Sequence, residues 1–335
     1  MKINYKNTES EIISTIKSIE NKYDKIFILS NSKIISHHSF INDLSNLIFI
    51  CKDGESCKSI QHYIDAITFL NENNCNKKSC IIAVGGGIVC DFAGFIASTY
   101  MRGIDLIMMP TSLLAMVDAA IGGKTALNFL DTRNLLGTFK DSNEIIIGLN
   151  FIQTLDDNER LNGMAEIFKY SLIMDVKLFN FIESKVVKHF PNLDLDIFKE
   201  LIDKCIKNKL TIVNKDHYDK GIRNILNFGH TVGHALESYY DFKLSHGRAI
   251  LYGMKVATHL SDLDKEEKKR IKNIWEIFKL PKLDSINKNE IMIHMENDKK
   301  NIGGELNFIL LNKLGNAIIK PNFNKKLIEE ALDIL

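Results

Sequence analysis

The stretch CIIAVGGGIVCDFAGF (Cys80–Phe95) decides the fold. An apolar run, Cys80–Val84, stops on three glycines, and a helix-period segment follows. Apolar residues without alternation suit a strand covered on both faces, as in a parallel α/β sheet. Gly85, Gly86 and Gly87 let the backbone approach a ligand closely. The helix after them would aim its unpaired N–H groups and positive dipole end at an anion such as a pyrophosphate. A tight strand-to-helix turn is the plain alternative, because the glycines do not follow the GxGxxG spacing. Two neighbours favour a dinucleotide. DGESCK (Asp53–Lys58) supplies Glu55 and Lys58, and PTSLL (Pro110–Leu114) puts Thr111 and Ser112 at the start of the next helix, where hydroxyls cap and reach outward.

Working outward, further apolar runs occur at Lys25–Ser30, Leu47–Ile50, Asp105–Met109 and Glu144–Leu149, each bounded by turn residues. After about Asn150 the period changes to that of helices, at Asp156–Asp175, Leu195–Lys215, Ile225–Tyr240, His246–Leu263 and Lys265–Phe278. ELNFILLNKLGNAIIK (Glu305–Lys320) reads as a hairpin turning at Lys313–Asn316. The pattern predicts an α/β Rossmann-like nucleotide-binding domain over residues 1–150 and a mainly α-helical, metal-binding domain over residues 151–335.

Forty-three basic against 42 acidic residues give a net charge of +1, so neither nucleic acid nor an anionic membrane is an expected partner. No run reaches the roughly 18 apolar residues of a membrane span, and the N-terminus lacks a signal-peptide core. The six cysteines show no CxxC spacing and read as reduced thiols of a cytoplasmic protein.

NFGHTVGHALESYYDFKLSHGRAI (Asn227–Ile250) gathers three of the ten histidines. GMAEIFKY (Gly163–Tyr170) puts Glu166 and Lys169 three apart on one helix face, flanked by apolar residues, so these charges need partners. A surface ion pair and core histidines are the plain readings. Glu166, His230 and His246 together would make a catalytic zinc site with an open position, with His234 a fourth ligand or a proton-handling neighbour. VDAAIGGKTALNFLDTRN (Val117–Asn134) adds Asp118, Lys124, Asn128, Arg133 and Asn134, and Arg102, Lys209, Arg223 and Asn227 lie next to other apolar runs. Singly these are solvated side chains; jointly they suit a phosphorylated, carboxylated substrate.

The Ala83–Phe95 and Met101–Asn128 segments, with GMAEIFKYSLI and RNILNFGHTVGHALE…LSHG, resemble the 3-dehydroquinate synthase family of sugar-phosphate cyclases. The resemblance runs from about residue 25 to 320. It implies a homodimer that uses NAD and Zn²⁺, or Co²⁺, to turn 3-deoxy-D-arabino-heptulosonate 7-phosphate into 3-dehydroquinate and phosphate in the shikimate pathway. It would make Glu166, His230 and His246 the metal ligands. Glu55, Lys58, Gly85–Gly87, Asp91, Thr111, Ser112, Asp118, Lys124 and Arg133 would line the NAD site. Lys124, Asn134, Lys169, Lys209, Arg223, Asn227 and His234 would hold substrate, with Arg102 reaching a neighbouring subunit's phosphate. The implied chemistry oxidises a ring hydroxyl, eliminates phosphate and returns the hydride, so the nicotinamide turns over without net reduction. Several positions depart from the family pattern: Arg248 stands where a Glu is usual after the His-Gly pair, Asn31 where an Asp is usual, Arg133 where a Lys is usual and Cys90 where a glycine is usual, and KDHYDKG (Lys215–Gly221) replaces a more acidic run. The first two predict weaker metal and NAD retention, the alternative for Arg248 being an ion pair with Glu237 or Asp241 that leaves the metal unaffected. Alternatives are another NAD- and metal-dependent sugar-phosphate cyclase, a polyol dehydrogenase and an inactive paralogue.

Overall fold

The computed structural model describes residues 2–130, 132–283, 286–296 and 307–335. The chain divides into two compact units, Met1–Glu159 and Arg160–Leu335.

The first unit is built on a six-stranded sheet. Its strands are β1 (Lys2–Lys6), β2 (Ile26–Asn31), β3 (Ile48–Cys51), β4 (Cys80–Gly85), β5 (Asp105–Pro110) and β8 (Glu144–Gly148). They run in the order β1-β8-β5-β4-β2-β3, and every pairing is parallel. β4 is buried at all six residues, and β2, β5 and β8 at all but one each, which is why their sequences read as unbroken apolar runs. Each fully buried Ile or Phe in these strands contributes roughly 1.5–3 kcal/mol of transfer free energy. The chain moves from β2 outward to β3, then back across to β4 and on to β5. The carboxyl ends of β2 and β4 therefore flank a topological switch point, the usual ligand crevice of an open α/β sheet.

Two features of this unit were not in the sequence reading. β1 is an edge strand whose alternating lysines and Asn4 hide it among polar residues, yet it pairs with β8 from Lys2↔Glu144 to Lys6↔Gly148. The segment read as scattered polar groups around Gly122 and Gly123 forms a separate antiparallel hairpin, β6 (Lys124–Phe129) with β7 (Thr132–Phe139).

The second unit is mainly helical, with helices at Asp157–Ile173, Leu195–Lys215, His230–Tyr239, His246–His259 and Lys265–Trp275. The expected hairpin is present as β9 (Phe308–Lys313) and β10 (Asn316–Lys320), turning through Gly315 at φ +74°. Glu305 and Leu306 of that stretch lie outside the described residues. One expected helix starts later than its periodicity implied. Ile222–Asn227 is a short 3₁₀ turn, and the α-helix begins only at His230, because Gly229 takes a left-handed conformation (φ +78°) between them. Among the described residues no helix is long and apolar enough to cross a membrane.

Candidate active site

In the second unit, Glu166 sits mid-helix and only 1% exposed. His230 and His246 are each the first residue of their helices. Glu166 Oε1 lies 3.5 Å from His230 Nε2 and 3.4 Å from His246 Nε2. The other carboxylate oxygen pairs with Lys169 Nζ one turn along, a group that is also 1% exposed. His234 stands beside these residues, its ring centre 5.3 Å from that of His230 and 6.4 Å from that of His246.

Glycines bring the supporting backbones together. A Cβ on Gly253 would fall 1.9 Å from the Gly229 carbonyl oxygen, and one on Gly233 would fall 2.7 Å from Ile250 Cδ1. The helices bearing His230 and His246 thus touch backbone to backbone, closer than any side chain there would allow. The helix of Glu166 is tied to the start of the His246 helix by Asn162, whose Oδ1 accepts the Gly247 N–H at 2.9 Å. A Cβ on Gly247 would meet Asn162 Cα at 2.5 Å.

The hydrogen-bond partners set the ring orientations. His230 Nδ1 lies 3.1 Å from the Phe228 carbonyl oxygen, and His246 Nδ1 lies 3.3 Å from Glu237 Oε1. Both oxygens only accept, so each Nδ1 carries a proton and Nε2 is the atom turned toward Glu166. Both Nε2 atoms therefore stand close to the same oxygen of Glu166. A tetrahedral cation bound at about 2.0–2.1 Å separates its ligand atoms by about 3.3–3.4 Å, so the observed spacings fit one. Burial by itself lowers the affinity of His246 for a proton. Hydrogen bonds and charges from Glu166 and Glu237 outweigh it and raise the pKa to about 9.

Lys209 and Arg223 are buried in this unit, 5% and 3% exposed. The turn carrying Arg223 is organised by Asp216, whose carboxylate accepts the N–H groups of Lys220, Gly221 and Arg223 at 2.9, 2.7 and 3.0 Å. The Arg223 guanidinium donates to the His217 carbonyl at 2.5 Å. Asn227 Nδ2 donates to Asn224 Oδ1 at 3.4 Å.

In the first unit the glycine turn closes β4 and opens the helix Gly87–Thr99, beside the switch point. A Cβ on Gly86 would reach Ser112 Oγ at 3.4 Å, so the turn and the Thr111–Ser112 pair form one wall. The Thr111 N–H donates to the Gly85 carbonyl at 3.0 Å, and Ser112 Oγ accepts the Ala115 N–H at 3.3 Å. Asp118 lies in the following single turn, Ala115–Ala119.

Lys58, 2% exposed, donates to Asp91 Oδ2 at 2.7 Å and to Asn134 Oδ1. Asn128 donates to Glu55 Oε2 at 2.8 Å and accepts the Asn134 N–H at 2.9 Å, while Arg133 stands 3.9 Å from Glu55. Glu55, Lys58, Asp91, Asn128, Arg133 and Asn134 thus form one network around the β6–β7 turn. Lys124 lies at the other end of the hairpin. It starts β6 opposite Phe139, at the far end of the hairpin from Asn134, roughly 15 Å away by strand rise. A groove of ≈ 510 Å³ opens along Glu55, Ser56, Ser59, Ile60, Asn128, Phe129 and Leu130. Arg102 is exposed, with Met101 and Arg102 both left-handed (φ +48° and +62°). Asn31 caps a short helix, its Oδ1 accepting the Ile34 N–H at 2.9 Å.

Cys51, Cys57 and His62, all buried, also bring ligand atoms within 4.8 Å of one another. The Lys52 N–H already donates to His62 Nε2 at 3.1 Å, however, which places the ring proton on Nδ1. A cation there would have to displace a backbone hydrogen bond.

Residues 48–162 match the model of the 3-dehydroquinate synthase N-terminal domain, and residues 163–301 that of its C-terminal domain. The chain belongs to the 3-dehydroquinate synthase family. It is 36% identical to the 3-dehydroquinate synthase of Clostridium tetani, covering 92% of this chain and 85% of that one. It is 38% identical to the bifunctional 3-dehydroquinate synthase/phosphatase of Fusobacterium nucleatum over 91% of its own length, but spans only 48% of that longer protein. Its fold is that of the 2-epi-5-epi-valiolone synthase of Streptomyces hygroscopicus, with a TM-score of 0.86, 22% identity, and 99% and 96% of the two chains covered.

In this member of the 3-dehydroquinate synthase family, three contributors to the site escaped the sequence reading. Glu237 faces His246. Its place seven residues after His230, two turns along the same helix face, was the available signal. Asn162 and Asp216 accept from backbone N–H groups and gave no pattern.

Proposed function

We propose that this chain is a 3-dehydroquinate synthase, a lyase converting 3-deoxy-D-arabino-heptulosonate 7-phosphate into 3-dehydroquinate and phosphate. The observation that carries the reading is the Glu166–His230–His246 cluster, with its ligand-edge spacings of 3.4 and 3.5 Å, in a chain of this family. Those three residues would hold zinc or cobalt. Gly85–Gly87, Glu55, Lys58, Asp91, Thr111, Ser112, Asp118, Lys124 and Arg133 would hold NAD. When bound, the ion supplies Lewis acidity and the nucleotide a hydride acceptor that is regenerated within the cycle.

The remaining work falls to side chains. Lys169, paired with Glu166, offers an ammonium for the substrate's oxygens. Lys209 and Arg223, buried cations, suit the substrate carboxylate, and Lys124, Asn134 and Asn227 supply donors for its phosphate and hydroxyls. Holding those anions in register gives rate through orientation. His234, next to His230, is placed to move a proton. Arg102, exposed on left-handed backbone, reaches the phosphate bound by a second copy in a homodimer. Six free, buried cysteines support a cytoplasmic location. The nucleotide residues of this reading lie in the first unit and its metal ligands in the second.

The fold shared with 2-epi-5-epi-valiolone synthase favours one second reading, a cyclase for a different sugar phosphate. Product analysis separates the two. Given NAD and zinc, the protein should form 3-dehydroquinate from the heptulosonate phosphate, and hexose or neutral heptulose phosphates should remain unchanged. Carbocycle formation from a neutral sugar phosphate alone would move the assignment to that second reading.

A further inference from the structure

We propose that Glu237 is the positioning residue of this site, fixing the His246 ring so that Nε2, and not Nδ1, faces Glu166. The inference rests on the reading that Glu166, His230 and His246 hold a divalent cation. His230 needs no side chain for this purpose, because the Phe228 backbone carbonyl accepts from its Nδ1 at 3.1 Å. His246 has Glu237 Oε1 at 3.3 Å from its Nδ1. Glu237 is 12% exposed and His246 30% exposed at the side chain, so solvent competes only weakly for that contact.

The geometry also explains how one residue can do this reliably. Glu237 and His230 lie two turns apart on one helix, so the helix that provides one ligand also provides the support for another. The Gly229–Gly253 and Gly233–Ile250 approaches fix the separation of that helix from the one starting at His246. The separation of the Glu237 Cα from the imidazole is therefore set by backbone contact. Position 248, where a carboxylate would be expected from the family pattern, is not required for this role. Arg248 and metal retention are then unconnected, contrary to the weaker retention its presence suggested.

The test is zinc affinity, measured by competition with a chromophoric chelator on the full chain and its Glu237→Ala, Glu237→Gln, Arg248→Glu and Glu166→Gln variants. The cobalt absorption spectrum of each reads coordination geometry independently of activity. Glu237→Ala should weaken zinc binding about 10- to 100-fold and alter the cobalt spectrum. Glu237→Gln, which keeps an acceptor of the same length, should recover most of the affinity and the spectrum. Arg248→Glu should bind as the parent does. Thermal unfolding of the metal-free proteins checks folding; if Glu237→Ala does not fold, a Glu237→Gln protein with parental affinity together with an unaltered Arg248→Glu protein supports the proposal. The proposal is overturned if folded Glu237→Ala binds zinc within twofold of the parent, or if Arg248→Glu tightens binding tenfold. Failure of the reading beneath it looks different: the parent itself would bind no zinc, or Glu166→Gln would bind as tightly as the parent.

Discussion

Glu166 carries two jobs at once: one oxygen stands by two imidazoles, and the other by the Lys169 ammonium, with both side chains 1% exposed. Removing one partner of such a pair leaves a buried charge, at a cost of about 3–5 kcal/mol. Lys169→Met should therefore lower the unfolding free energy of the metal-free protein by about 3 kcal/mol, read by urea denaturation, and zinc should restore part of it. Equal stabilities would show that the pair is screened. Two histidines of the first unit set a pH dependence. Burial is the main reason that His38 and His62 bind protons less readily than the ordinary imidazole at 6.5. The unfolded chain thus takes up protons before the folded one does. The resulting stability is complete above pH 6.5 and is lost as the pH falls below it. The urea midpoint should drop over that window, and less steeply in His62→Gln, whose amide oxygen can still accept the Lys52 N–H. A parallel pH profile in that variant would assign the dependence elsewhere.

At the scale of elements, the closest tolerances lie where the histidine-bearing helices touch. Gly253→Ala would set a methyl 1.9 Å from the Gly229 carbonyl, so the helices must part. It should cost about 3 kcal/mol or more and greatly reduce zinc binding, consistent with overpacking where no side chain can yield. Gly54→Ala offers the contrast. That glycine is left-handed (φ +64°) with nothing within 4 Å, so only backbone strain of about 1 kcal/mol is expected. Chemical denaturation and zinc titration of both variants check this; equal effects would remove the close-approach argument. The same elements mark how far the sequence could be read. Strands β2, β4, β5 and β8 were legible because burial on both faces leaves no polar alternation to confuse them, and the half-exposed edge strand β3 because its residues are all apolar. The β6–β7 hairpin was not legible, because exposed Leu135, Leu136 and Phe139 and interspersed polar residues erase the inside–outside pattern of a half-buried strand. The start at His230 was missed because periodicity does not register a single left-handed glycine.

For the whole molecule, one unit carries a glycine turn beside a switch point and the other a His–Glu cluster, with a net charge of only +1. Motif spacing brought out Glu166, His230 and His246 from sequence, and the structure brings their ligand-type atoms within 4.8 Å of one another. The neighbours that hold that cluster, a backbone carbonyl, Glu237 and Asn162, were hidden because many residue types can serve there. The most direct measurement uses zinc-loaded protein with excess 3-deoxy-D-arabino-heptulosonate 7-phosphate and a small, known amount of NAD⁺, following phosphate and NADH together. Phosphate released far beyond the NAD⁺ supplied, with no accumulation of NADH, is the predicted result. NADH rising in step with substrate oxidation, with no phosphate released, would contradict the account and mark the protein as a dehydrogenase.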